Sequence, residues 1–302
     1  MDGKNLLMRT RQLLNEPSTS QFLDDRTTYD NLYAAALEFT RLSKCLRATQ
    51  EITTVASQAG YTINGDFLSL YLRTAANDFY IKYEDADENE YFIDYKPYQD
   101  IIWDNDTTAI SIPNYFTLTT DTTLDSQISV AASAASDDVG GKSTLTVAAA
   151  AFGDVTPGDI VHNTTDGSDG VVVKYTSTTS IDICLFGGTD NEVDIADAFI
   201  IQPRGRLSLQ FDPPPSTESH TATLYYIQKP APVYSDYQIY PFAFDYTDTL
   251  AMYAAWLYKF RDREPDFGHT WYQHFMAQVT EHKGLFDGAF GRDKSNIRPR
   301  FM

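Results

Sequence analysis

The stretch DRTTYDNLYAAALEFTRLSKCL, residues 25–46, sets the reading of the whole chain. Leu32, Ala35, Ala36, Phe39, Leu42 and Leu46 recur in it at steps of three and four, the period of an amphipathic helix. Upstream, Asn5 to Asn15 carries Leu6, Leu7, Leu13 and Leu14 on one stripe before Pro17 stops it. Toward the other end, Asp245 is placed to cap a helix in which Leu250, Ala254 and Leu257 share a face, with Arg261 and Arg263 at its negative C-terminal end. Pro265 restarts the chain. A second helix from about Asp266 to His282 has Trp271, Phe275 and Val279 at i, i+4 and i+8, and its expected stop is Lys283-Gly284. The spacing predicts an antiparallel helical hairpin packed through Leu250, Ala254, Leu257, Trp271 and Phe275.

Between the helices the texture is that of short strands: Glu51 to Ser57, Phe67 to Thr74, Phe79 to Tyr83, Tyr91 to Tyr95, Ala109 to Leu118, and later Arg206 to Phe211 and Thr221 to Gln228. An acidic loop, Glu84 to Glu90, is expected to cap a hairpin. Residues 119–202 change character. They hold thirteen acidic residues against Lys142 and Lys174, eight of the 16 glycines and one of the 20 tyrosines, a net −11 of the chain's −19. Turn signals at Gly140-Gly141, Thr156 to Asp159, Asp166 to Gly170 and Gly187-Gly188 mark a small all-β module. Because the aromatic-rich strands resume after it, the flanking segments are read as one sheet that the module interrupts. The expected fold is therefore α+β. It has a helical bundle or hairpin core with an antiparallel β-sheet portion in residues 1–118 and 203–302, and an inserted acidic β module, barrel or sandwich-like, at 119–202.

Composition excludes several function classes. At 302 residues the chain has room for one large or two unequal domains, and 42% hydrophobic residues argue against wholesale disorder. A net charge of −19 disfavours sequence-general nucleic-acid binding, whose affinity comes from Lys and Arg displacing counterions. Two distant cysteines, Cys45 and Cys184, indicate no disulfide framework. There is neither a leader pattern nor an apolar run of membrane-spanning length, so the chain is expected to be neither secreted by a cleaved signal nor embedded in a membrane.

Motifs for chemistry are weak. Gly140-Gly141-Lys142-Ser143-Thr144 resembles the end of a phosphate-binding loop, but Ser136 stands where that motif needs glycine, and Thr144 to Val147 reads as strand where a helix is required. His162, His220, His269, His274 and His282 show no metal-ligand spacing, and no serine sits in a Gly-x-Ser-x-Gly elbow. The carboxylates of Glu84 to Glu90 lack the spacing of a calcium loop. A glycosidase-like pair such as Asp85 with Glu218 is one of many in so acidic a chain. Tyr225, Tyr226, Tyr234, Tyr237 and Tyr240 suit packing better than sugar stacking. No catalytic, cofactor or metal residue is assigned, and the chain is read as not an enzyme.

The helical start from Asn5 to Leu46, the segments Thr53 to Ser57 and Tyr61 to Leu68, the aromatic stretch Tyr91 to Ile101, and the Ala-rich helix Thr249 to Trp256 ahead of Arg261 to Pro265 resemble the head-to-tail adaptor, or connector, proteins of tailed bacteriophages. The resemblance spans about 200 residues outside the insertion. It implies a structural virion protein of the neck or tail, made in the host cytoplasm. Such a protein forms a ring, typically a dodecamer, that joins the capsid portal to a tail or nozzle protein and lengthens a channel through which DNA passes without specific binding. It further implies that the C-terminal tail, 285–302, docks on the portal. Arg292, Lys294, Arg298 and Arg300 would meet carboxylates, and Ile297 and Phe301 apolar pockets. The alternative is a glycan-binding or glycan-cleaving tail module.

Overall fold

The computed structural model describes residues 2–16, 23–74, 78–100, 110, 112–120, 127–203, 205–242, 244–261 and 265–286. The portal-docking residues Arg292, Lys294, Ile297, Arg298, Arg300 and Phe301 lie outside them. The chain divides into two compact units, one of residues 1–45, 127–202 and 229–302, the other of 46–126 and 203–228.

The second unit is an eight-stranded sheet. Its strands are β1 (Arg47–Thr53), β2 (Gly60–Thr62), β3 (Phe67–Leu70), β6 (Ile81–Glu84), β7 (Glu90–Tyr95), β8 (Tyr115–Thr120), β15 (Leu207–Asp212) and β16 (Thr221–Gln228). They run in the order β1-β16-β6-β7-β8-β15-β2, with β3 also on β16. A two-stranded ribbon, β4 (Arg73–Thr74) with β5 (Asp78–Phe79), completes the unit. Inward positions alternate as the pleat requires: Ile81 and Tyr83 on β6, Leu209 and Phe211 on β15, and Ala222, Leu224 and Tyr226 on β16 all enter one core. The hairpin expected across Glu84 to Glu90 forms, pairing Lys82 with Phe92. Strands β8 and β15, on either side of the insertion, pair antiparallel from Tyr115 with Asp212 to Thr120 with Leu207, so the chain leaves and re-enters this sheet at adjacent positions.

The first unit joins a six-stranded sheet to four helices. The sheet runs β10-β13-β12-β11-β14-β9. Its strands are β9 (Ile128–Ala131), β10 (Ser143–Thr146), β11 (Ile160–Asn163), β12 (Ser168–Ser177), β13 (Ser180–Phe186) and β14 (Ala198–Gln202). One face buries Leu145, Val161, Val172, Ile181, Ile183 and Phe199 in a core of its own. Val171, Val173 and Cys184 belong instead to the cluster that holds Leu6, Tyr29, Leu32, Phe39, Leu250 and Phe275 of the helices. Strands β12 and β13 are buried on both faces over Val171–Val173 and Ile181–Leu185, with Asp182 the one charged residue in the second run. At Gly170 a Cβ would lie 1.9 Å from the Cys184 backbone oxygen, so only glycine allows β12 and β13 to approach so closely there.

The four helices of the first unit are α1 (Gly3–Leu14), α2 (Asp25–Ser43), α3 (Phe244–Arg261) and α4 (Pro265–Phe286). Asp2 caps α1 by accepting from the Asn5 amide at 2.8 Å, and Asp24 caps α2 by accepting from that of Thr27 at 2.7 Å. Left-handed Asn15 and Lys44 end them, with φ of 56° and 55°.

The expectation of a helical bundle or hairpin core is overturned. Fourteen strands in two large curled sheets dominate the described residues, and the long helices α1 to α4 all belong to the first unit. Helical periodicity is conspicuous in sequence because it runs for many residues, whereas strands of two to ten residues, legible one by one, do not announce that together they outweigh the helices. Helix α4 also runs through Gly284, the expected stop. One glycine costs a helix only about 1 kcal/mol, which the burial of Phe275, Val279 and His282 along α4 readily offsets.

Candidate interaction surface

The residues expected to pack the hairpin fall in two clusters, Leu250, Ala254 and Phe275 in one and Trp271 at the edge of another. Leu250, Ala254 and Phe275 are fully buried, while Leu257 and Trp271 are half-buried, Trp271 lying against Leu14, Leu23 and Ala255. Ala251, Ala254 and Ala255 keep the buried face of α3 shallow, which suits close approach by α1 and α2. The Arg9 guanidinium on α1 makes a forked contact with Asp248, Nε at 2.7 Å and Nη2 at 3.3 Å, and this holds the Arg9 pKa above its ordinary value. Arg11 is nearly buried. Its Nη2 donates to the Leu23 carbonyl at 2.7 Å and pairs with Asp25 at 2.6 Å.

Leading outward from that buried face is an aromatic ladder that starts at Tyr253, packed on Phe275 at 4.5 Å. Tyr253, Trp256 and Phe260 stand at i, i+3 and i+7 of α3, a spacing readable in the sequence, and Tyr272 joins them from α4. Ring centroids step from Tyr253 to Trp256 at 5.1 Å, Trp256 to Tyr272 at 4.7 Å and Trp256 to Phe260 at 5.7 Å. Gly268 makes room for the indole, since a Cβ there would meet Trp256 Cδ1 at 3.0 Å. The ladder ends at Phe260, whose surface is 57% exposed, and Arg41 and Glu38 form an ion pair of 2.7 Å on neighbouring α2. The charged pair lies near the Tyr253 end of the run and Phe260 opens the other end to solvent, so the rings offer an aromatic centre with a polar rim, as protein-contact patches do.

Other singled-out groups have structural partners. Asp85 Oδ1 accepts from the Asp87 and Asn89 amides at 2.9 Å each, and the Asn89 side chain holds its pKa below the usual carboxylate range. Lys82 reaches Glu84 and Glu90 at 3.0 Å, so much of the acidic loop is spent on its own hairpin. Among the described residues no group of three or more His, Cys, Asp or Glu could hold a metal ion, and no helix is long and apolar enough to cross a membrane. Gly140 and Gly141 adopt φ of 67° and 85°, Lys142 pairs with Asp182 at 3.1 Å, and the chain continues at Ser143 into strand β10. His220 is buried with its Nδ1 3.1 Å from the Tyr83 hydroxyl, His162 pairs with Asp169 across β11 and β12 at 2.5 Å, and His269 meets Gln273 at 3.0 Å. His274 is exposed and His282 buried, so the two do not share an environment.

Of the five tyrosines, Tyr226 and Tyr234 give their hydroxyls to Asp66 and Asp30. Burial pushes Tyr226 up to about 12 and raises Tyr234 further. Tyr240 is buried and Tyr225 packs edge-on to Phe79, which leaves Tyr237 as the exposed member. Comparison with known proteins finds no matching family model and no matching curated protein.

Proposed function

We propose that this chain is a structural virion protein that assembles into a ring, a dodecamer in the adaptor pattern, joining the capsid portal to a tail or nozzle protein. The observation that carries the reading is the aromatic ladder from Tyr253 to Phe260, presented by a helical hairpin and half open to solvent. Aromatic rings dominate the energetics of protein contacts, and a strip of this kind on each subunit suits a head-to-tail contact repeated around a closed ring. The net charge of −19 supports a DNA channel, because like charge lets the duplex slide without adhering. The resemblance to phage adaptors adds the portal as partner and the C-terminal tail as its docking segment.

The alternative, a glycan-binding or glycan-cleaving tail module, has lost most of its motivation. Four of the five clustered tyrosines are engaged in packing or hydrogen bonds, and Asp85 is committed to its own turn.

The test is direct imaging of the purified chain by electron microscopy beside a Trp256→Ser/Phe260→Ser variant. Closed rings from the native chain and dispersed subunits from the variant are expected. Dispersed subunits from both, in the presence of portal protein as well, would refute the reading.

A further inference from the structure

A second exposed apolar patch lies elsewhere on the first unit. Val139, Tyr237 and Ile239 are 64%, 70% and 68% exposed, unusually high for large apolar side chains. They come from two chain segments held together. The Asp236 amide donates to the Gly140 carbonyl at 2.8 Å, and the Tyr237 ring lies over Gly140, where a Cβ would meet it at 2.5 Å. Ile239 is fixed by its bridge to Asp2. Acidic groups flank its Val139 end. Asp137 and Asp138 are exposed and in no ion pair among the described residues, and the Ser136–Val193 bridge lays Asp137 alongside Glu192. Nearby Asp236 is met by Lys4 at 3.5 Å, and Lys142 is taken by Asp182.

From this geometry we infer that the patch is the seat of the chain's own C-terminal segment, residues 291–302. That segment, GRDKSNIRPRFM, carries four basic residues against one acidic in a chain of net charge −19, and it offers Ile297 and Phe301 as apolar anchors. Its positive charge complements the acidic flank and its two large apolar side chains suit the exposed apolar ones. Reach is sufficient. Rings lead from His282 near the end of α4 to Phe39 at 5.0 Å, to Phe242 at 5.1 Å and to Tyr240 at 5.7 Å, and Tyr240 adjoins Ile239. The sixteen residues beyond Phe286 span up to about 50 Å when extended. The inference stands on charge, exposure and reach, and does not require the adaptor reading. If that reading also holds, the tail exchanges this seat for the portal.

Trypsin cleavage after Lys294 in the full chain provides the test, with Tyr237→Ser/Ile239→Ser and, separately, Asp137→Asn/Asp138→Asn as comparisons. These surface substitutions leave every buried core residue intact. A seated tail is expected to be cut at least about tenfold more slowly in the native chain than in the apolar variant, because cleavage follows the undocked population. The charge variant and raised salt are expected to speed cleavage in the same direction. Equal rates in all three proteins would overturn the inference. Carbodiimide coupling of mixed light and heavy isotope-labelled chains gives a second readout. Links from Lys294 to Asp137, Asp138 or Glu192 within one chain support the own-chain seat, and links found only between light and heavy chains contradict it.

Discussion

The Gln50 side chain donates from Nε2 to the Thr62 carbonyl at 3.0 Å, while its Oε1 accepts from the Asn64 amide at 2.9 Å. Gln50 lies on β1 and Thr62 on β2, the two ends of the eight-stranded sheet's hydrogen-bonded path. One amide side chain therefore bridges the two edges of a curled sheet, satisfying backbone groups that an open edge would leave to solvent or to another chain. Replacing Gln50 by Leu is expected to cost about 1 kcal/mol, the net worth of exposed hydrogen bonds of this kind, and to raise the tendency to aggregate. Urea unfolding with light scattering checks both, and an unchanged midpoint would remove the bridge from the account.

Gly170→Ala is expected to be among the most damaging single-methyl changes in the chain. The added Cβ would collide with the Cys184 carbonyl across β12 and β13, and backbone on both sides leaves little freedom to yield. A loss of about 3 kcal/mol is expected in urea denaturation.

Phe275→Ala tests the helical hairpin. Phe275 is fully buried, with Tyr253 at 4.5 Å and Phe39 at 6.3 Å between ring centroids. A loss of roughly 3–5 kcal/mol is expected, as for large aromatic truncations in cores, and thermal melting would register it. Leu257→Ala, at a half-buried position, is expected to cost less.

Burial lowers the His282 pKa below its ordinary 6.5. The folded state thus favours the neutral ring, so the contribution is present above the unfolded value and is lost as pH falls through the folded one. Between about pH 7.5 and 5 the native chain is expected to lose more stability than a His282→Leu variant, with the difference opening below about 6.5. Parallel pH profiles for the two proteins would exclude His282 as the source.

What the sequence made legible follows from the length of each signal. Helices α1 and α2 announce themselves through period and caps, and their ends fall within a few residues of the reading. That the flanking segments share one sheet was legible from the return of aromatic-rich strands after an acidic, tyrosine-poor segment, while the direct pairing of β8 with β15 was not. Strands β9, β11 and β14 left no reading because four or five residues flanked by polar turns carry too little alternation. The closure by Gln50 is invisible to any apolar pattern, since a polar side chain performs it. The Tyr253, Trp256, Phe260 ladder was legible in spacing, but only its solvent exposure separates a contact face from a core face.

The most direct test of the assembly account is native mass determination of the full chain, alone and mixed with portal protein, beside the Trp256→Ser/Phe260→Ser variant. A ring of many subunits or a stoichiometric portal complex, lost in a variant that remains folded, is the outcome this account requires. A monomer that ignores the portal, or a ring that survives both substitutions, would contradict it.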